Sequence, residues 1–277
     1  MMRTDLLAFK QYYLTAAKKI PVDSPFMNDI NHKYQHSVDV LHIGEKILEN
    51  TPELKTADTR FKTFAQKALL FHDVGRFKEA LNRYKKEKKH IKIAPSACDH
   101  GLIGYNLMKK NPAYNDMQIL FALRYHGKMM EQVYRSLLFN KIKTSPKKND
   151  ILKILFLVRD ADKLSNLKNI KKEDHLKKDV FYRQLSSKAL NAPLSESVKE
   201  QFLAKKTILF STVYSFADRL LMVLSWIFDL NYEFTKETFV KNGYDKYLFS
   251  ELKNYHHNKE DLKKIQTLIR ETLEKKA

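Results

Sequence analysis

Residues 59–77 read TRFKTFAQKALLFHDVGRF, and this stretch decides the fold class. Its apolar residues recur at intervals of three and four, which places them on one face of an α-helix. The polar pair His72-Asp73 follows directly, and Gly75 is a natural helix stop. The stretch therefore predicts a buried helix that carries an imidazole and a carboxylate into the protein interior. The apolar positions are Phe61, Phe64, Ala65, Ala68, Leu69 and Phe71.

The same spacing recurs along most of the chain, while sustained apolar–polar alternation does not. An all-α protein is therefore predicted. Asp99 is the expected cap of one helix, and Asn115 or Asp116 that of the next. The lysine-rich stretch 77–97 is predicted to be irregular, as a candidate lid or mobile loop beside the substrate. The predicted helices cover residues 4–19, 29 or 31 to 52, 59–73, 100–110, 116–126 and 151–167.

Composition excludes several classes of protein. Only six of the 277 residues are glycine, and neither GxGxxG nor GxxxxGK[ST] occurs, so a glycine-rich nucleotide site is not expected. The single cysteine, Cys98, excludes an internal disulfide and any multi-cysteine metal site, and it fits a reducing, cytoplasmic setting. The net charge of +19 fits either a solvated lysine-rich surface or attraction of anionic ligands. Small phosphate esters are the main candidates for such ligands, and the support for nucleic acid is weaker because the lysine clusters lack interleaved aromatic residues.

The N-terminus lacks the uninterrupted apolar core of a signal peptide. The most apolar segment, 207–230, has Asp218 and Arg219 at its middle, so we expect a buried helix and no membrane association. The chain turns strongly charged after Asn169, which favours a boundary at 170–180. We expect an N-terminal helix and loop (1–29), a core (30–170) and a C-terminal helical extension packed on the core (171–277).

Five short strings hold nearly all the histidines and acids of interest. His72-Asp73 and Asp160-Ala161-Asp162 both follow apolar helical runs, and buried charges of this kind need a partner. A divalent cation would supply one. The strings are HKYQHS (32–37), FHDVGRF (71–77), DHG (99–101), YHG (125–127) and RDADKL (159–164).

Taken in order, these strings resemble the signature of the HD-domain superfamily of metal-dependent phosphohydrolases over about residues 30–170. The amino-acid sequences of the strings are similar to those of a bacterial subfamily with HDIGRF and RDADKLD motifs. The resemblance implies an HD-domain helical bundle with a C-terminal helical extension. One departure is Ser165, which stands where the subfamily has an acid.

The resemblance also implies roles for individual residues. His36, His72, Asp73 and Asp162 match the four metal ligands of the family. His100 and His126 match positions that bind a second metal, contact phosphate or transfer protons, so Asp73, His100 and His126 are the expected catalytic residues. Arg76 and Lys163 are expected to neutralise phosphate charge, and Asp160 to orient a ligand from behind.

The implied activity is hydrolysis of a nucleotide or similar small phosphate ester, as a monoester or a diester, with one or two divalent ions. Imidazole and carboxylate ligands suit Mn, Fe, Co, Ni and Zn, so the ligand set does not choose the metal. Two alternatives stay open, namely a catalytically silent module that binds a ligand, and a phosphodiesterase that acts on nucleic acid. The oligomeric state is not predicted.

Overall fold

The computed structural model describes residues 2–89, 99–173, 175–177 and 180–274, and these residues form helices and connecting loops without a β-strand. The prediction of an all-α fold is confirmed. Short 3₁₀ helices lie at His175–Lys177, Phe210–Thr212 and Ser225–Asp229. The α-helices are α1 Met2–Ala17, α2 Pro25–Asn50, α3 Pro52–Lys55, α4 Thr59–Phe71, α5 Gly75–Glu87, α6 His100–Met108, α7 Met117–Tyr125, α8 Met130–Tyr134, α9 Leu137–Ile142, α10 Lys148–Glu173, α11 Val180–Gln184, α12 Ser187–Leu190, α13 Glu196–Leu203, α14 Phe216–Leu224, α15 Glu233–Lys241, α16 Tyr244–Lys253 and α17 Lys259–Glu274.

The chain divides into two compact units, Met1–Asp162 and Lys163–Ala277. In the first unit α2 packs on α4 and α5, α4 on α7, α5 on α6, and α6 on α7. In the second unit α14 packs on α13 and α16, and α17 on α13 and α16. This division lies inside α10 rather than at 170–180, and the three domain bounds expected from the sequence stay a prediction.

Helix α2 begins at Pro25, several residues before the predicted start at 29 or 31. The hydroxyl of Ser24 accepts a hydrogen bond from the backbone N–H of Phe26, and a proline in the first turn costs the helix nothing because its missing N–H has no intrahelical partner. The loop between the first two helices is therefore shorter than the predicted helix bounds imply. The extra turn buries Phe26, Met27 and Ile30.

The predicted lid is wrong over its first half, because α5 continues from Gly75 to Glu87. Phe77, Ala80 and Leu81 are buried at helical spacing, while the lysines of α5 cover its other face. The abundance of lysine hid this narrow apolar stripe. Residues 90–97 of the predicted lid, and Cys98, lie outside the described residues.

The apolar segment 207–230 is not one buried helix, as was expected, but a 3₁₀ turn, α14 and a second 3₁₀ turn. Asp218 explains the break. Its fully buried carboxylate accepts hydrogen bonds from the backbone N–H groups of Ser195, Tyr214 and Ser215 and from the Ser195 hydroxyl. It thus forms part of the cap that starts α14. None of the described helices has the length and apolarity needed to cross a membrane.

Two glycines allow helices of the first unit to approach closely. A Cβ at Gly75 would lie 2.1 Å from the carbonyl oxygen of His100, so α5 could not begin where it does. A Cβ at Gly101 would lie 2.8 Å from the carbonyl oxygen of Arg124, at the end of α7. Both contacts are with backbone, which cannot rotate away. These glycines therefore allow the start of α6 to lie against the start of α5 and the end of α7.

The variant Gly75→Ala tests this packing. Its methyl group would force α5 and α6 apart, and overpacking of this kind costs about 1–3 kcal/mol or more of unfolding free energy. Urea denaturation followed by circular dichroism measures the loss. Gly127→Ala is the matched control, since its Cβ would meet only the His100 ring at 3.8 Å, an ordinary contact. Equal stability of the two variants would contradict the argument.

Candidate metal centre

Six polar side chains from five helical segments meet in the first unit. His36 comes from the middle of α2, His72 and Asp73 from the turn between α4 and α5, and Asp162 from α10. His100 is the first residue of α6, and His126 follows the last residue of α7. The structure thus brings together every residue that the resemblance implies as a metal ligand.

His36, His72 and Asp162 form one group of closely spaced ligand atoms. The Nε2 atom of His36 lies 2.9 Å from Oδ1 of Asp162, and Nε2 of His72 lies 3.8 Å from the same oxygen. Both imidazoles are buried, while the Asp162 side chain is 24% exposed. The carboxylate therefore lies on the side of this group that solvent reaches.

A second group consists of His72, Asp73 and His126, with His100 beside it. Nε2 of His126 lies 3.5 Å from Oδ1 of Asp73, and Nε2 of His100 lies 3.4 Å from the same oxygen. The two Nε2 atoms are 3.2 Å apart. His72 is common to both groups, so the candidate ligands form a continuous cluster rather than two separate sites.

The Nε2 atom of His72 is buried and has no hydrogen-bond partner. Its Nδ1 lies 2.9 Å from the carbonyl oxygen of Leu69 and must donate to it, which leaves a lone pair on Nε2. Nδ1 of His126 donates in the same way to the carbonyl oxygen of Leu123 at 3.1 Å. Both rings are thereby fixed in the tautomer that a metal ligand needs.

Burial keeps two of the imidazoles neutral. Desolvation lowers the pKa of His72 from 6.5 to about 4, although Asp73 and Asp162 oppose the shift. Desolvation, with His126 and Arg76 as further causes, lowers the pKa of His100 to about 3. Metals bind the neutral imidazole, so this environment favours a ligand role for both residues. It disfavours His100 as an imidazolium that protonates a leaving group.

Lys33 is a functional candidate that sequence reasoning missed. Its ammonium lies 2.9 Å from Oδ2 of Asp73, and it lies one helical turn before His36 on α2. Burial alone would raise the pKa of Asp73, but Lys33 and then His72 hold it well below its usual range. Spacing could have revealed Lys33, since residues three apart share a helix face. A lysine in so basic a chain gave no signal by itself.

The other predicted residues have different surroundings. Nη1 of Arg76 lies 2.9 Å from Glu79, its Nε lies 3.6 Å from Asp73, and its side chain is one-third exposed. The ammonium of Lys163 lies 2.9 Å from Asp229 in the second unit, so an ion pair already engages its charge. Asp160 is fully buried, as a residue that orients others would be. Nothing here assigns these three residues a role, and their predicted roles stay predictions.

Comparison with known protein families gives a match over this part of the chain. Residues 34–167 match the HD domain family. The match supports the HD-domain superfamily, whose members are generally metal-dependent hydrolases, and it spans the segment that carries His36, His72, Asp73, His100, His126 and Asp162. No curated protein and no solved structure matches the chain. The bacterial subfamily that the HDVGRF and RDADKL strings resemble stays a prediction.

Thermal unfolding in the presence of metal tests the candidate ligand cluster directly. A ligand at 100 times its dissociation constant stabilises the folded state by about 2.7 kcal/mol. We expect Mn²⁺ to raise the melting temperature of the wild-type chain, and the variant His72→Ala to lose most of this increase. His42→Ala is the control, because His42 is an exposed histidine of the same helix. An equal Mn²⁺-induced shift in the wild type and His72→Ala would rule out His72 as a ligand.

Proposed function

We propose that the chain is a metal-dependent phosphohydrolase that acts on a nucleotide or similar small phosphate ester. One observation carries the proposal: the buried, partnerless Nε2 of His72, with its lone pair aimed at two carboxylates. A buried polar atom without a partner costs about 1–3 kcal/mol, so a protein that retains one has a use for it. The HD domain match supports the same activity.

We assign the cluster to two ions. One would be held by His36, His72 and Asp162, and the second by His100 and His126, with Asp73 between them. The donors are imidazole nitrogens and carboxylate oxygens, which suit Mn, Fe, Co, Ni and Zn and not a thiolate-selected ion. The 3.2 Å between the Nε2 atoms of His100 and His126 supports the second ion, since neighbouring ligand atoms around one ion are about 3 Å apart when each bond is about 2.1 Å.

Divalent ions, when bound, polarise a phosphoryl oxygen and lower the pKa of an attacking water. The protein groups do the rest. Asp73, whose low pKa keeps it ionised, would orient the water by accepting a hydrogen bond from it, and the proton of the water would pass to solvent. The water would attack in line with the leaving oxygen, which would take up a proton from solvent as the bond between phosphorus and that oxygen breaks. Asp160, buried two residues before Asp162, would hold its neighbour in place.

Lys33 and Arg76 are the groups that we assign to the substrate phosphate. Both contact Asp73 and both side chains are partly exposed. A divalent ion would compete with Lys33 for the Asp73 carboxylate, and the displaced ammonium would be free to meet a phosphate oxygen. Arg76 keeps its Glu79 partner and offers its remaining N–H groups, a fork that fits phosphate. Lys163 is a weaker candidate because of its pair with Asp229.

Release of phosphate or alcohol by metal-loaded protein tests the activity. The panel comprises nucleoside monophosphates and triphosphates, cyclic dinucleotides and a chromogenic phosphodiester, with Mn²⁺ or Ni²⁺ added. We expect turnover of at least one class. His72→Ala and Asp73→Ala should lower kcat/KM by about a hundredfold or more, because even residues that only orient a ligand contribute 10–100-fold. His42→Ala should retain the wild-type rate.

The same panel separates the alternatives. A protein that gains stability from a nucleotide without hydrolysing it would be a silent binding module. Hydrolysis restricted to oligonucleotides, with binding that weakens steeply as salt rises, would indicate a phosphodiesterase of nucleic acid, an outcome that the +19 charge permits. Metal-loaded protein that neither turns over nor binds any of these compounds would overturn the proposal.

Lys33→Gln and Arg76→Gln test the phosphate assignment separately. A hydrogen bond to a charged group is worth about 1.5–3 kcal/mol, so each variant should lower kcat/KM by about 10–100-fold. Mn²⁺ stoichiometry, measured by calorimetry, should stay that of the wild type. Lys46→Gln removes an exposed lysine of the same helix and is the matched control. Steady-state kinetics that cannot distinguish Lys33→Gln from Lys46→Gln would remove Lys33 from the site.

A further inference from the structure

Arg159 is a buried cation that donates hydrogen bonds to backbone carbonyl oxygens. Only 5% of its surface is exposed. Its Nη1 atom lies 2.8 Å from the carbonyl oxygen of His126, 2.5 Å from that of Lys128 and 3.3 Å from that of Tyr125. The Tyr125 carbonyl ends α7, and the other two belong to the turn that follows it. One guanidinium nitrogen therefore gathers the backbone on both sides of His126.

The end of α7 needs such a group. The last carbonyls of a helix have no intrahelical partner, and a cation at that end is favoured by the helix dipole. The guanidinium is also a rigid, planar fork that keeps its charge at any working pH. Arg159 thus satisfies the carbonyls and fixes the path of the chain where His126 leaves the helix.

The backbone path decides where the His126 imidazole points. Its Nδ1 is held by the carbonyl oxygen of Leu123, which sets the rotation of the ring. With the ring and the backbone both fixed, Nε2 is directed towards His100 and Asp73. Arg159 lies one helical turn before Asp162 on α10. The same helix therefore supplies a ligand to the first group and the side chain that holds the turn of His126 in the second.

Asp99 also holds the turn around His126, from the start of α6. Its Oδ1 accepts a hydrogen bond from the backbone N–H of Leu102 and so caps α6, the helix that begins with His100. Its Oδ2 lies 2.9 Å from Nη1 of Arg124 and 3.0 Å from Nζ of Lys128. These two residues flank His126. The start of the His100 helix is therefore tied to the turn that Arg159 holds.

We propose that Arg159 is a positioning residue for the second ion, because it holds the turn that directs His126 at the ligand group of Asp73 and His100. The inference rests on the proposed two-ion function and deepens it. Loss of Arg159 would release the carbonyl oxygens of Tyr125, His126 and Lys128 and loosen His126. The group formed by His36, His72 and Asp162 includes neither His126 nor any of the three residues whose carbonyl oxygens Arg159 contacts, and it should keep its ion.

Mn²⁺ binding to metal-stripped protein tests the inference without reference to turnover. Calorimetric titration of the wild type should give two ions per chain. Arg159→Met should bind the first ion with affinity within about threefold of the wild type and the second at least tenfold more weakly. The exchange-coupled signal of a Mn²⁺ pair in electron paramagnetic resonance should be lost at a metal concentration that saturates the wild type.

Two further variants sharpen the result. Arg159→Lys keeps the charge but offers a point donor instead of a fork, so it should weaken the second ion less than Arg159→Met does. It also serves as the test variant if Arg159→Met does not fold. Arg60→Met removes an arginine whose side chain is 67% exposed, and it should bind both ions as the wild type does.

The outcomes separate this inference from the proposed function. Wild-type protein that binds no Mn²⁺ overturns both. Wild-type protein that binds a single ion overturns the two-ion assignment and the role of Arg159, while the hydrolase proposal stands. Two ions in the wild type with unchanged affinities in Arg159→Met and Arg159→Lys overturn the inference alone. Equal weakening of both ions would assign Arg159 a general structural role and would also overturn it.

Discussion

Burial of His72 is the constraint on which the rest of the site depends. Its imidazole is fully buried, one nitrogen is committed to the carbonyl oxygen of Leu69, and the other faces the carboxylates of Asp73 and Asp162 without a hydrogen bond to either. Desolvation disfavours the protonated ring, so a proton does not resolve the arrangement. A divalent cation would resolve it, because it would use the lone pair and compensate both negative charges. The other candidate ligands surround the same position.

Most of the candidate ligands lie at helix ends. Close packing of these ends brings the ligands together. His72-Asp73, His100 and His126 lie at the end of α4, the start of α6 and the end of α7. Gly75 and Gly101 permit backbone contacts that a side chain would prevent. Asp99 caps α6 and also forms an ion pair with Arg124 of α7, so it links the start of α6 to the end of α7. The geometry of the cluster is therefore set by backbone contacts more than by the ligands themselves.

The parts of the structure that the sequence predicted are those with strong local signals. The apolar period of α4 and the Asp99 and Asp116 caps come from neighbouring residues, and the structure has them. The predictions were wrong where the local sequence pattern pointed to a structure other than the one that the chain adopts. The lysines of α5 obscured three buried apolar residues. The apolar run around Asp218 was predicted as one helix, although the Asp218 carboxylate binds the backbone N–H of Ser195 in a loop distant in sequence. Lys33 and Arg159 escaped notice because their contacts, with Asp73 and with the turn after α7, connect residues far apart in sequence.

The positive charge of the chain acts at short range as well as over the whole surface. A field from a net charge of +19 attracts anions of every kind and does not distinguish a nucleotide from a nucleic acid. Selectivity has to come from cations whose positions are fixed, and in the first unit these are held by acids of the site itself: Lys33 by Asp73, and Arg76 by Glu79 and Asp73. The Asp73 carboxylate, a candidate metal ligand, thus also contacts Lys33 and Arg76, the two cations that we assign to the substrate phosphate. If a metal displaced Lys33 from this carboxylate, as we propose, it would leave the ammonium free for a phosphate oxygen, and metal binding and phosphate binding would be coupled through Asp73.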